Sequence, residues 1–390
     1  MSESRGRYSR RIKDIEPFHV MHLLAQARAL EAAGKDIVHM EIGEPDFPTP
    51  EPVTRAAIRA IEKGDVHYTP TLGLPQLRER IAAFYQQRYG LNVSAQRIVI
   101  TPGASGALLL ALGLLLDTGQ QIMLADPGYP CNRNFVRFLG GEPQMINVGV
   151  DTDYQLTAAL VEQHWTTQTR ALMLASPSNP TGTLINEQEL AAISQIVAQK
   201  DGHLIVDEIY HGLVYDDEPA SALSFSEQTF VINSFSKYFG MTGWRLGWLV
   251  APENAIPDID KLAQNLFLAA STPAQYAALA AFEPDNLVIL EQRRQQFQQR
   301  RDYLLGALRK LGFELPLTPQ GAFYLYANCE MFSDDSFRFA QSLLHEAGVA
   351  VTPGRDFGDN QPQKFLRFSY TTSLARLEEG INRLQAYLVG

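Results

Sequence analysis

The sequence predicts an α/β fold: a large domain with a mainly parallel central sheet and helices on both faces, plus a smaller α+β domain. Three observations predict it. Short β-rich apolar runs recur as far as about residue 250, longer helical patterns separate them, and the pattern changes after Pro284. Strands buried on both faces read as nearly continuous apolar runs, and the helices between them supply the crossovers that parallel pairing needs.

The runs, in order, are RIVIT near 97–101, QIMLAD at 121–126, QMINV at 144–148, ALMLAS at 171–176, HLIVDE at 203–208, FVINS at 230–234 and LGWLV at 246–250. Before them, GEPDFPTPEP at 43–52 holds four prolines, which remove backbone donors and fix φ, so a structured loop is expected there. After Pro284, Leu290, Phe297, Leu304 and Leu311 recur every seven residues along a polar helix. Strands around 322–327 and 365–370 and a closing helix follow. At 390 residues the chain has room for two or three domains. The expected division is 1–45 as an N-terminal arm and part of the small domain, 46–285 as the large domain and 286–390 as the C-terminal small domain.

Composition narrows the function. Hydrophobic residues are 45% and charged residues 19%, ordinary for a packed protein. The 33 Lys and Arg against 43 Asp and Glu leave a net charge of −10, which argues against nucleic acid or an anionic membrane as partner. Cys131 and Cys329 lie too far apart in sequence for a metal-ligand pair, and His19 and His22 have no further ligands indicated, so no metal is expected. The longest strongly apolar stretch, Ala107 to Leu116, has 10 residues where a membrane span needs about 20. The N-terminus lacks the apolar core of a secretory signal, and a cytoplasmic location is expected.

The chemistry concentrates in a few segments. SFSKYFGMTGWRLGW at 234–248 sets Lys237 and Arg245 in an aromatic, glycine-rich and otherwise uncharged run. Desolvation and a neighbouring cation lower an amine's pKa, and such a lysine can form an imine with a carbonyl compound. In HLIVDEIY, Asp207 ends an apolar strand where a parallel sheet presents its ligand edge, and Tyr210 follows. Such a carboxylate either keeps a pyridine nitrogen protonated or caps the next turn. SPSNPTG at 176–182 demands a tight turn that leaves the Asn179 amide able to donate. TPGASGAL at 101–108 runs from strand into helix, so Gly103, Ala104 and Ser105 can present amides to a phosphate. The same loop is one residue short of a nucleophile elbow, which keeps open a serine hydrolase using Ser105 with Asp207 and His211 or His345.

Eight strings in order, EIGEPDFPTP, HYTPTLGLPQLR, TPGASGAL, DPGYP, SPSNPTG, VDEIY, SFSKYFGMTGWRLGW and FLRFSY, resemble the fold type I pyridoxal phosphate enzymes, specifically the class I/II, aspartate aminotransferase-like aminotransferases. The resemblance implies ping-pong transfer of an amino group between an L-amino acid and a 2-oxo acid. Lys237 would carry pyridoxal 5'-phosphate as an aldimine and move the Cα proton, and Asp207 would keep the ring nitrogen protonated. Asn179 and Tyr210 would hydrogen-bond the ring oxygen, and Tyr129 would stack on the ring. Arg245, Ser234, Ser236 and the Gly103, Ala104 and Ser105 loop would hold the phosphate, joined by Tyr68 from the other subunit of a homodimer. Arg367, with Gly43 and Asn179 beside it, would bind the substrate carboxylate. Ser105 stands where many aspartate-using relatives carry a lysine, so the donor is left open. A carbon–sulfur β-lyase on the same fold shares the early steps and is the rival reading.

Overall fold

The computed structural model describes residues 8–17, 19–216 and 218–389. In chain order its strands are β1 (Val38–His39), β2 (Ile98–Thr101), β3 (Gln121–Asp126), β4 (Glu142–Asn147), β5 (Thr169–Ala175), β6 (His203–Asp207), β7 (Phe230–Ser234), β8 (Gly247–Val250), β9 (Tyr324–Asn328), β10 (Val349–Ala350), β11 (Thr352–Pro353) and β12 (Phe365–Ser369). The seven apolar runs all become strands of one sheet, in the order β2-β8-β7-β6-β5-β3-β4. Only β8 runs against the direction of the other six strands, so the mainly parallel sheet is as expected.

Alternation explains why these runs are apolar on both sides. Leu172, Leu174, Leu204 and Val206 feed one core, whereas Ala171, Met173 and Ile205 feed the other. Successive side chains of a strand point to opposite faces, so a sheet covered on both needs apolar residues at every position. Helix Gly103–Leu115 covers the second face with Ala107, Leu108, Ala111 and Leu112. The parallel strands β5, β6 and β7 end together at Ala175, Asp207 and Ser234, which fixes the edge where a ligand site forms.

The C-terminal part carries an antiparallel sheet of order β11-β12-β9. β1 joins it indirectly by pairing in parallel with β10, so residues 38 and 39 share a sheet with the far end of the chain. Helix Pro284–Leu311 buries Leu290, Phe297 and Leu304 on the seven-residue stripe, while Leu311 is only partly buried near the helix end. The proline-rich loop is shorter than its composition suggests. A helix, Glu51–Lys63, begins inside it because Pro52 falls in the first turn, where its missing N–H costs nothing.

Candidate active site

Where the strand ends of the large sheet face β9 and β12, a cavity of about 570 Å³ opens. Its floor comes from the turn after β7. Phe235 and Phe239 are buried against Trp248, with ring centroids 4.9 and 6.1 Å from it, and these anchors fix the turn that carries Lys237. Lys237 Nζ donates to the Gly43 carbonyl at 2.7 Å and lies about 6 Å from the rings of Tyr210 and Phe323. Burial lowers its pKa to about 8; Arg367 and Arg245 add to this, against Glu44 and Asp207. The amine is therefore partly neutral near physiological pH.

One end of the cavity is built for an anion. Ser234 donates to the Ser236 hydroxyl at 3.0 Å, and Arg245 Nη1 reaches the Thr242 carbonyl at 3.0 Å and the Ser236 hydroxyl at 3.5 Å. Helix Gly103–Leu115 starts beside them without a side-chain cap, so its first amides face the cavity at Ala104 and Ser105. Gly103 has φ +70°, and a Cβ there would come within 2.7 Å of Arg245 Nη2. The glycine thus makes room for the guanidinium.

Asp207, the last residue of β6, lines the same cavity and accepts from the Ile209 amide at 3.0 Å. Burial raises its pKa to about 6, against the opposing pull of the Ile209 amide and Lys237. A buried carboxylate with so few donors is primed to meet a positive group.

The remaining wall is made by long-range contacts. Arg367 on β12 is 2% exposed; Nη1 donates to Asn179 Oδ1 at 2.9 Å, and Nη2 donates to the Glu41 carbonyl and, at 3.3 Å, to the Thr352 hydroxyl. Its Nε is buried without a partner among the described residues. The guanidinium sits 4.3 Å from the centre of the Tyr324 ring, whose hydroxyl shares a 2.9 Å hydrogen bond with Tyr210. A Cβ on Gly43 would overlap that Tyr324 hydroxyl, so a larger residue would have to displace the Tyr324 side chain.

The expected residues Gly43, Ala104, Ser105, Tyr129, Asn179, Asp207, Tyr210, Ser234, Ser236, Lys237, Arg245 and Arg367 all line this one cavity. Gly103 lies beneath Arg245. Tyr68 does not line it: its side chain is 82% exposed, away from the cavity of its own chain. Sequence reasoning missed Tyr324, Thr242 and the wall formed by Val20 and Met21. The alternation of GAFYLY could have marked Tyr324 as facing one side of a strand, but only the folded sheet says which side. The hydrolase reading fails on geometry, because neither His211 nor His345 lines the cavity with Ser105. His211 is instead buried, within 3.5 Å of Glu208 and 3.1 Å of the Tyr89 hydroxyl.

A poised amine between an anion cradle and a buried carboxylate defines an enzyme that works through a phosphorylated carbonyl cofactor. Residues 35–384 match the family model described as aminotransferase class I and II, and the chain belongs to that family. It is 38% identical over 383 residues to the (5-formylfuran-3-yl)methyl phosphate transaminase of Methanocaldococcus jannaschii, covering 97% of this chain and 99% of that one. It is likewise 38% identical to the valine–pyruvate aminotransferase of Mycobacterium tuberculosis, over 96% of this chain and 97% of that one. The crystal structure of an aminotransferase from Mycobacterium tuberculosis superposes with a TM-score of 0.95 at 38% identity, covering 98% of this chain and 99% of that one. The chain is an aminotransferase, and the family's cofactor is pyridoxal 5'-phosphate. The cavity fits that group: the uncapped helix start and Arg245 match its phosphate, Asp207 its ring nitrogen and Lys237 its aldehyde. Among the described residues no cluster suited to a metal ion occurs, and no helix is long and apolar enough to cross a membrane.

Proposed function

We propose that transamination takes place in this cavity, with Lys237 as the proton carrier and Arg367 as the carboxylate clamp. Bound pyridoxal phosphate supplies a carbonyl that accepts the amino group and a cationic ring that withdraws electrons from the substrate Cα. The protein does the rest. Ser234, Ser236, Arg245 and the amides of Ala104 and Ser105 fix the phosphate end, and the Asp207 carboxylate favours a protonated ring nitrogen through its own cost of burial. Asn179 and Tyr210, which line the cavity, would hydrogen-bond the ring oxygen, and Tyr129 would supply an aromatic face for the ring.

Arg367 holds the substrate carboxylate, with Gly43 leaving room for it and Tyr324 backing the guanidinium. Fixing that end determines which Cα bond stands within reach of Lys237 Nζ, and an amine with a pKa of about 8 can both take and return the proton. The exposure of Tyr68 supports a homodimer in which it reaches the cavity of a second copy, completing the phosphate site.

One observation carries the reading: a lysine of lowered pKa shares a single cavity with an anion cradle, a buried carboxylate and a second, buried arginine. The test is a spectroscopic screen of amino acids against the cofactor-loaded enzyme. The expected result is loss of the visible aldehyde band with a productive amino acid, recovery with a 2-oxo acid, and parallel double-reciprocal plots. Release of pyruvate and ammonia without accumulation of the amine form would assign a lyase instead.

A further inference from the structure

Four consecutive carbonyls, those of residues 40–43, each accept a hydrogen bond from a residue far along the chain, and two of the donors, Arg367 and Lys237, line the cavity. Met40 accepts from the Ser369 amide at 2.7 Å, Glu41 from Arg367 Nη2 and, at 2.9 Å, from the Thr352 hydroxyl. Ile42 accepts from the Thr371 hydroxyl at 2.9 Å and Gly43 from Lys237 Nζ at 2.7 Å. β1 ends at His39, and beyond the Met40 amide, which donates to the Ala350 carbonyl at 2.9 Å, residues 41–43 lie in no strand.

A second set of contacts holds it from its other side. Residues two apart in extended chain project to one face, and there His39 Nδ1 meets Glu41 Oε1 at 2.7 Å. His39 Nε2 continues the chain to Glu31 Oε1, 3.1 Å away on helix His19–Ala32. Glu41 is 0% exposed, and its second carboxylate oxygen has no hydrogen-bond partner among the described residues. An apolar residue of similar volume would serve stability as well or better than a carboxylate buried with so few donors. The hydrogen bonds to the two carboxylates raise His39 to about 9, against its burial, so the imidazole is protonated at neutral pH.

We propose that the His39–Glu41 pair is a positioning device for Arg367: it sets the 40–43 backbone so that the Glu41 carbonyl orients the guanidinium toward the substrate carboxylate. This rests on the carboxylate role proposed for Arg367. Amino donor and oxo acceptor present the same carboxylate, which makes the test sharp. His39→Ala should raise both KM values by a common factor of about ten while kcat changes less than threefold. His39→Gln, which can still donate to Glu41, should recover most of the loss. In an Arg367→Ala background, His39→Ala should add nothing, because coupled residues are not additive.

Unchanged KM values, a fall in kcat alone, loss of bound cofactor or thermal stability without a KM effect, or full additivity with Arg367→Ala would each overturn the proposal. If Arg367→Ala itself leaves both KM values unchanged, the carboxylate role of Arg367 fails first and the pair's role with it. If Arg367→Ala raises them and His39→Ala does not, only the pair's role fails.

Discussion

The two halves of the cavity are assembled in different ways. In the phosphate half, the hydrogen-bonded side chains are near neighbours in sequence, Ser234 and Ser236 being 2 apart and Arg245 and Ser236 9 apart, and only the helix start at Gly103 packs against them from far upstream. In the carboxylate half, Lys237 meets Gly43 across 194 positions, Arg367 meets Asn179 across 188 and Glu41 across 326. A short turn fixed by buried aromatic rings, with the start of helix Gly103–Leu115 beside it in the same domain, holds the first half, whereas the second exists only when β12, β9 and the 40–43 segment have docked against the large sheet. The phosphate half should therefore govern whether cofactor is retained. The carboxylate half should govern how substrate is held, and substitutions divide along that line.

The largest effect is expected at the junction, since Lys237 belongs to both halves. Lys237→Ala should lower turnover by at least about 10⁴-fold, because the one side chain proposed as both covalent tether and proton carrier would be gone. Stopped-flow absorbance should show no borohydride-reducible band tied to the protein; retained transamination would remove the distinction between the halves at its root. Arg367→Ala comes next. It strips partners from the buried Asn179 Oδ1 and Glu41 carbonyl, and loss of a buried charged contact of this kind costs about 2–5 kcal/mol. We expect a fall of about a hundredfold or more in kcat/KM with the cofactor spectrum intact. Loss of cofactor would place Arg367 in the wrong half.

Asp207→Asn separates binding from stability. Burial raises the Asp207 pKa from 3.8 to about 6, so the native chain binds the extra proton between those values and loses stability as pH rises through them. At pH 7.5 the cofactor-free Asp207→Asn protein should be the more stable, by at most about 3 kcal/mol in urea titration, and the gain should vanish near pH 3. With cofactor, turnover should fall. A variant less stable at pH 7.5 would mean that the carboxylate is already satisfied in the cofactor-free chain.

The same contrast explains what the sequence could reveal. Strand runs such as FVINS and QIMLAD were legible because burial on both faces demands apolar residues at every position, and both match β7 and β3 residue for residue. Lys237, Arg245 and Asp207 were legible because each is a charge set in an apolar stretch at a strand end. Tyr324 and Glu41 were not. Tyr324 looks like one aromatic among many in GAFYLY, and its place beneath Arg367 depends on the register that pairs it with Ser369. Glu41 reads as an ordinary polar residue before a loop, and nothing local signals that it is fully buried. The proline-rich loop misled for the opposite reason, since Pro52 is a helix breaker everywhere except in the first turn.

Gly43→Ala probes the fit of the carboxylate half without changing any charge. The added methyl would overlap the Tyr324 hydroxyl, and overpacking of this kind costs about 1–3 kcal/mol. Steady-state kinetics should show KM raised about tenfold to a hundredfold for donor and acceptor alike. Wild-type KM would mean that Tyr324 can move aside, and that this half is looser than its contacts suggest.

The smallest effect is expected at Tyr324, and it distinguishes two contributions from one side chain. Tyr324→Phe removes only the hydrogen bond to Tyr210, worth about 0.5–1.5 kcal/mol, so kcat/KM should fall no more than about tenfold. Tyr324→Leu also removes the ring that lies 4.3 Å from the Arg367 guanidinium, and a desolvated contact of that type adds up to about 2 kcal/mol. The leucine variant should therefore lose further affinity for substrate while the phenylalanine variant keeps most of it. Equal losses in the two would assign the whole effect to the hydroxyl pair, moving Tyr324 from the carboxylate half toward Tyr210.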